Sequence, residues 1–490
     1  MCFLKKKIRD RFWTLLRGAG VSAPELYNGV MELARAKLVA SRDIDGPLDK
    51  VSDTRRMAVL DVQLSLDYEP RREKVRIEEA ALVESHMRIV YSVPADREYL
   101  RSGYPSEPLL AEAAARQLWT WRTQDPFVAV DTLTDILKTG LLDRGELGEL
   151  TGRQLLLDAY HRAVESEQSS HWDKMPPNFS AGCRFLTFME MLISEQYVEM
   201  VLNSVPDNVG GVSFREAFKD AKICFTHFGK MADATGVTST AAWVAFVRHM
   251  AIMARNGQDN LDCILPVLLW DTKLCEHVVT GVLIQFRRRK QKSTIAKSII
   301  NEADIDFFPK AKASRKCTHG PVEHTYSYRP YVCLVMEMGV QVKPHGGAKK
   351  STKIGSGGES YTRPQTPPPM GQSSQPTTPS RIEIPSYGQK HHTTKGHARY
   401  SIFIYGCSPT VYRGIDDAHK ATYAHLLNSR DFFAEHPRQD LQTLAAVRKM
   451  KPFWSGGKDC YHWVERDEIL HADEVDLPEE ECVLVQVGMN

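Results

Sequence analysis

Apolar residues recur at helical spacing in some stretches of this chain and condense into short continuous runs in others. Near the start, Phe12, Leu15 and Leu16, followed by Leu26, Val30, Leu33 and Leu38, predict two short helices. Residues 51–105 interleave acidic and basic positions, with Val83 to Tyr91 read as an extended segment. From Leu109 to Leu142 the spacing is helical again, and Arg144-Gly145 marks a break. Beyond it, Leu147, Leu150, Leu155, Leu156, Leu157, Tyr160 and Val164 form a one-sided stripe that predicts a helix opening near Glu146. A third helix is predicted from Thr238-Ser239-Thr240, which suit an N-cap, through Ala241 to Met253, with Asn256-Gly257 as its stop.

The pattern then turns to strands. Leu261 to Leu269, Val278 to Phe286, Tyr331 to Met336 and Tyr400 to Tyr405 are near-continuous apolar runs of strand length. Helices followed by buried strands predict an α/β fold, a helix-covered mixed sheet with a helical N-terminal region. Residues 343–396 break the pattern with Gly355-Ser356-Gly357-Gly358, Pro367-Pro368-Pro369 and Ser373-Ser374-Gln375-Pro376. So few apolar residues cannot offset ordering entropy, which predicts a disordered insert. The expected organisation is a mixed helical region (1–108), an α/β core (109–342), the insert (343–396), a completion of the core (397–465) and an acidic tail (466–490).

At 490 residues, 42% hydrophobic and 25% charged, the chain buries a sizeable core and is neither fibrous nor wholly disordered. With 63 Lys+Arg against 61 Asp+Glu, no global charge draws it to nucleic acid or membrane, so any such binding falls to a local patch. Ten scattered cysteines, some inside apolar runs, suit reduced thiols rather than a disulfide framework. Met1 to Arg9 places charges where a secretory signal needs its apolar run, and no stretch matches a membrane span. The expected setting is nucleus or cytoplasm.

Asp262 opens one apolar run and Gln285-Phe286-Arg287 closes the next. Alternation puts Gln285 and Arg287 on one face, where a neighbouring strand brings Asp262 close. Metal-dependent phosphodiester cleavage needs oxygen ligands for a hard cation and a positive group for the developing phosphorane charge. Asp262, Gln285 and Glu149, on the polar side of the helix opening near Glu146, are the candidate ligands for Mg²⁺, and Arg287 is the electrostatic partner. The blander alternative makes Asp262 a strand-opening cap and Arg287 part of a solvated strand end. The run Arg287, Arg288, Arg289, Lys290, Gln291, Lys292 is a candidate DNA-phosphate contact or import signal, or simply a charged sheet terminus. Cys317, His319, His324 and Cys333 match no zinc spacing, and no phosphate loop or serine-nucleophile elbow is present.

The successive segments Arg144 to Leu157, Phe225 to Phe228, Asn260 to Val267 and Leu283 to Arg287 resemble a group of uncharacterised basidiomycete fungal proteins. Some of these look related to Crinkler-type, transposon-linked effectors. The resemblance spans roughly residues 110–465, including Arg329-Pro330-Tyr331 and Pro452-Phe453-Trp454. It implies a PD-(D/E)XK restriction-endonuclease-like core, with Glu149, Asp262, Gln285 and Arg287 as its catalytic set, Mg²⁺ as cofactor and DNA as partner. Two departures weaken that pattern. Gln285 stands at the usual carboxylate position, and Arg287 stands where lysine is expected and cannot act as a general base. The competing expectations are a non-catalytic interaction protein, with Thr366-Pro367 and Thr378-Pro379 as phosphorylation sites in the insert, and a mobile-element product without retained activity.

Overall fold

The structure is a computed structural model that describes residues 23–427 except 69–72, 94, 96–100, 139–140, 143–146, 170–175, 232–235, 256–257, 259, 271–273, 275–276, 288–298, 309–328, 340–379 and 386–395. Three helices come first, α1 (Ala23–Leu38), α2 (Asp53–Leu64) and α3 (Glu73–Ser85), then a hairpin of β1 (Ile89–Ser92) and β2 (Arg101–Gly103). Pro108 opens α4 (Pro108–Arg122) at a position where its missing N–H costs nothing, and α5 (Val128–Lys138) and α6 (Leu147–Gln168) follow. Then come β3 (Cys183–Arg184), α7 (Phe185–Leu192), α8 (Glu195–Leu202), the single turn α9 (Phe214–Ala217), β4 (Lys222–Ile223), β5 (His227–Lys230) and α10 (Ser239–Val247). The chain continues with β6 (Met250–Met253), β7 (Cys263–Leu268), β8 (Val279–Arg287), β9 (Tyr331–Glu337), β10 (Arg381–Glu383), β11 (Arg399–Tyr405) and α11 (Lys420–Leu427).

Nine strands form one mixed sheet in the order β10-β11-β9-β8-β7-β4-β3, and β6 shares the β4 side of β7 and carries β5. The strands β8, β9 and β11 run parallel, and β7 is antiparallel to β8 with Cys263 opposite Ile284. One rim of the sheet therefore gathers the carboxyl ends of β5, β6, β8, β9 and β11, together with the start of β7. In open α/β sheets this is the end at which ligands bind.

Alternation divides the buried residues into two layers. Cys263, Leu265, Ile284, Phe286, Val332 and Leu334 join the larger core with α6, while Ile264, Leu283, Cys333, Val335 and Phe403 pack with Ala242 and Ala245 of α10. Close approach of α6 depends on Gly152, where an added Cβ would overlap the Phe286 ring.

The four long strand expectations hold within one or two residues, and Leu147 to Gln168 is helical as expected. That helix is not one-sided: residues 150–161 are all buried, because α6 lies between the sheet and its neighbouring helices. The helix expected to run to Met253 ends at Val247. His249 adopts a left-handed conformation (φ 52°) and Met250–Met253 turns into a strand parallel to β5. Only the pair Arg248-His249 interrupts the apolar run from Ala241 to Met253, too brief a mark to reveal the break. Val83, Glu84 and Ser85 belong to α3 rather than to an extended segment, which begins only at Ile89 after Met87 at φ 65°. Within the expected insert, Arg381–Glu383 pairs antiparallel with β11 and buries Ile382, so that stretch is an edge strand. The rest of the insert, apart from Ser380 to Pro385 and Gly396, lies outside the described residues, as do residues 1–22, the aromatic cluster at 452–463 and the acidic tail. No described helix is long and apolar enough to cross a membrane.

Candidate functional site

Asp262 stands just before β7, at the rim. Its backbone N–H donates to Ile284 O at 2.9 Å rather than to its cross-strand neighbour, and its carbonyl accepts from Ala254 N–H at 2.9 Å. The side chain then takes the next ladder position: Phe286 N–H donates to Asp262 Oδ2 at 2.7 Å. Asp262 thus caps the ladder, as the blander expectation has it, and its carboxyl lies at the rim that gathers the carboxyl ends of the parallel strands. Burial pushes its carboxyl up to about 7, against the Phe286 N–H, which favours the anion; Glu149 adds to the rise and Arg287 opposes it.

Continuation of the β7–β8 register places Gln285 opposite Asp262, on the layer of Leu283 and α10. Gln285 Oε1 is buried with no hydrogen-bond partner. An orphaned amide oxygen in such a place costs free energy that a bound donor or cation would recover.

Glu149 reaches the same rim from the opposite layer, at the start of α6 and half-buried. Burial raises its pKa, opposed by Arg153 and Lys230 and reinforced by Asp67. Arg153 anchors this side: its Nη1 donates to Leu64 O (2.9 Å), Ser65 O (3.2 Å) and Met253 Sδ (2.8 Å). Ser65, the left-handed cap of α2, donates in turn to Phe228 O at 3.1 Å. These contacts hold α2, α6, β5 and β6 together beside Asp262.

Arg287 closes β8 and lies in register with Glu337 of β9. Its Nη1 is 3.5 Å from Glu337 Oε1, and both side chains are almost fully buried. It is therefore an element of a buried ion pair rather than of a solvated strand end. The register row continues through Tyr405 to Arg381, whose Nη2 is 2.5 Å from Glu383 Oε1. Sequence reading missed Glu337, although a lone acid closing the apolar run Val332 to Met336 in the phase of Cys333 and Val335 marks it. It missed Lys230 and Arg153 as well; β5 is too short for an alternation signal, and Arg153 sits on a helix read only for its apolar stripe. Arg288, Arg289, Lys290 and Lys292 lie outside the described residues.

The structure thus brings Asp262 together with Glu149 on one side and with Gln285 and Arg287 on the other, but not as a three-carboxylate cage. Among the described residues no group of three or more His, Cys, Asp and Glu side chains has metal-binding geometry. The polar oxygens nearest this rim are two carboxylates and an amide oxygen, all hard ligands. Mg²⁺ is commonly held by one or two carboxylates, with water and substrate phosphate filling the remaining positions. The donor set and the orphaned Gln285 Oε1 fit such an ion.

Two other polar features lie elsewhere in the described residues. Ser106 Oγ lies 2.7 Å from His227 Nε2, and Thr226 Oγ1 lies 3.2 Å from Nδ1. Burial lowers His227 to about 3, with Arg248 and His249 adding to the fall, so the ring is neutral and tied at both nitrogens. The groups acting on it include no carboxylate to stabilise an imidazolium, and the pair reads as a tie between the entry to α4 and β5. A cavity between α4, α5, α6 and α11, lined by Arg122, Gln154, Asp158 and Tyr423 among others, lies on the helical side of the molecule.

A family model described as a domain of unknown function, DUF8736, matches residues 50–343. The chain belongs to that family. No curated protein and no solved structure matches the chain. The DUF8736 region runs from the start of α2 past the end of β9 and contains Glu149, Lys230, Asp262, Gln285, Arg287 and Glu337. The strand β11, which completes the parallel part of the sheet, lies beyond it.

Proposed function

We propose that this DUF8736 protein is a divergent PD-(D/E)XK-type protein that acts on or binds DNA through a divalent-cation site at the sheet rim. The observation that carries the reading is Asp262, a carboxyl held at the rim by Phe286 N–H beside Glu149, with the unpartnered Gln285 Oε1 on the facing strand. Asp262, Glu149 and Gln285 would hold Mg²⁺, which when bound supplies Lewis-acid polarisation of a phosphoryl oxygen. The chain's own part is to orient these oxygens: the ladder fixes Asp262, Gly152 lets α6 carry Glu149 close, and Arg153 braces the strands behind it.

Arg287 favours a second reading, DNA binding without cleavage. Its side chain is held in the buried pair with Glu337, and a guanidinium does not serve as a general base for water. The test is purified protein with labelled double- and single-stranded DNA in Mg²⁺, Mn²⁺ or EDTA, with Asp262→Ala in parallel. Metal-dependent cleavage lost in the variant supports the nuclease reading. Metal-dependent retention of intact DNA, lost in the variant, supports binding alone; neither effect from a folded protein rejects both and favours an interaction protein.

A further inference from the structure

The sequence makes Arg287 the candidate cation for a phosphate, but its geometry ties it to the interior of the sheet. Its side chain is 7% exposed and faces a Glu337 side chain that is 1% exposed, so a phosphate could recruit it only by pulling it out of a buried ion pair. The same rim carries a second cation. Lys230 is the last residue of β5; it lies in register with Met253, which lies in register with Cys263, the residue after Asp262. Two strand spacings, about 10 Å, therefore separate the backbone of Lys230 from that of β7. Glu149 stands between them and feels the field of Lys230, as Asp262 feels that of Glu149.

The surroundings of Lys230 differ in kind from those of Arg287. Its Nζ is 2.5 Å from Asp67 Oδ2, but these side chains are 35% and 39% exposed. Pairs of that sort are weak and screened, and a phosphate oxygen competes for the ammonium without stranding a buried charge. The ammonium is a compact point charge with three rotatable donors, suited to an anion arriving from solvent.

We propose that Lys230, and not Arg287, is the side chain that meets the phosphate of a nucleic-acid substrate at this rim, while Arg287 and Glu337 form the internal pair that holds β8 to β9. The assignment rests on the proposed rim site, but its test separates the two. Full-length wild type, Lys230→Met, Lys230→Arg and Arg287→Met are titrated against a fluorescently labelled DNA duplex by anisotropy in Ca²⁺ over a range of salt. Ca²⁺ binding to wild type, Lys230→Met and Asp262→Ala is followed by calorimetry.

The expected result is at least about a tenfold loss of DNA affinity in Lys230→Met, with the salt slope reduced by about one and affinity retained within about threefold in Lys230→Arg. Arg287→Met, where it folds, stays within about twofold of wild type. Wild-type affinity in Lys230→Met overturns the assignment, as does a wild type that binds no DNA. Ca²⁺ binding that is equal in wild type and Lys230→Met but lost in Asp262→Ala upholds the cation site whichever way Lys230 falls. DNA affinity lost in Lys230→Met from a protein that binds no Ca²⁺ upholds Lys230 and rejects the cation.

Discussion

Asp61 and Asp262 are both acids drawn into the protein, and desolvation raises both, yet they are answered differently. Asp61 Oδ1 accepts from Leu66 N–H at 2.9 Å, and Oδ2 accepts from Tyr68 Oη at 3.1 Å and from Arg88 Nη1. Arg88 also pairs with Glu79 and donates to Ser102 Oγ and O, under the ring of Tyr68. That cluster ties α2, α3 and the β1–β2 hairpin together and answers both Asp61 oxygens, although Glu79 Oε2 is left without a partner. Among the described residues the Asp262 carboxyl receives a single hydrogen bond, from a backbone N–H; another acid lies near it, and the neighbouring amide oxygen has no donor. A raised pKa is common to both places and so decides nothing. What differs is the inventory of partners, and on the proposed reading that difference is what leaves Asp262 able to take a cation.

The comparison is broken most forcefully at Arg88. Arg88→Met strands Asp61 and Glu79 in the interior, and the expected loss is about 3–5 kcal/mol by urea unfolding; a loss below about 1 kcal/mol would mean that the cluster does not answer Asp61 as described.

The pH dependence of Asp262 gives the next largest effect. Its folded pKa, about 7, lies above the unfolded value, so the native state holds the proton more tightly. Its contribution to stability is full below the unfolded pKa and is lost as pH rises through about 7. Relative to Asp262→Asn, wild type is expected to lose on the order of 2–4 kcal/mol between pH 4 and pH 8. Parallel stability curves would remove the claim that the carboxylate is uncompensated.

Gly152→Ala sharpens the link between α6 and the rim. The helix gains up to about 1 kcal/mol of propensity, but the methyl meets the Phe286 ring, whose backbone is bonded to Asp262. Overpacking of about 1–3 kcal/mol wins, and net destabilisation in thermal unfolding is the expected outcome. The smallest effect is at Lys230: Lys230→Met changes stability by less than about 0.5 kcal/mol, because its pair with Asp67 is exposed.

The parallel heart of the sheet was legible because β8, β9 and β11 are buried on both faces and read as continuous apolar runs. Asp262, Gln285 and Arg287 were legible for the same reason, as polar residues punctuating those runs. Two-residue strands such as β3 and β4 carry no periodicity to detect, and β6 was hidden because only Arg248 and His249, at the left-handed turn, interrupt the apolar run from Ala241 to Met253. The buried setting of Arg287 was not legible because Glu337 is 50 residues away and adjacent only through parallel pairing. Lys230 escaped because a surface lysine at the end of a four-residue strand has no local mark; only the gathering of strand ends gives it a neighbourhood.

The decisive measurement is calorimetric titration of Mn²⁺ into wild type, Asp262→Asn and Gln285→Leu at pH 6.5 and pH 8. A cation seated on Asp262 displaces a proton at the lower pH, so wild type should bind more tightly at pH 8, with measurable proton release at pH 6.5. Asp262→Asn should lose both the binding and the pH effect, and Gln285→Leu should weaken the binding. Mn²⁺ affinity that is the same in wild type and Asp262→Asn at both pH values would contradict a cation site at the sheet rim.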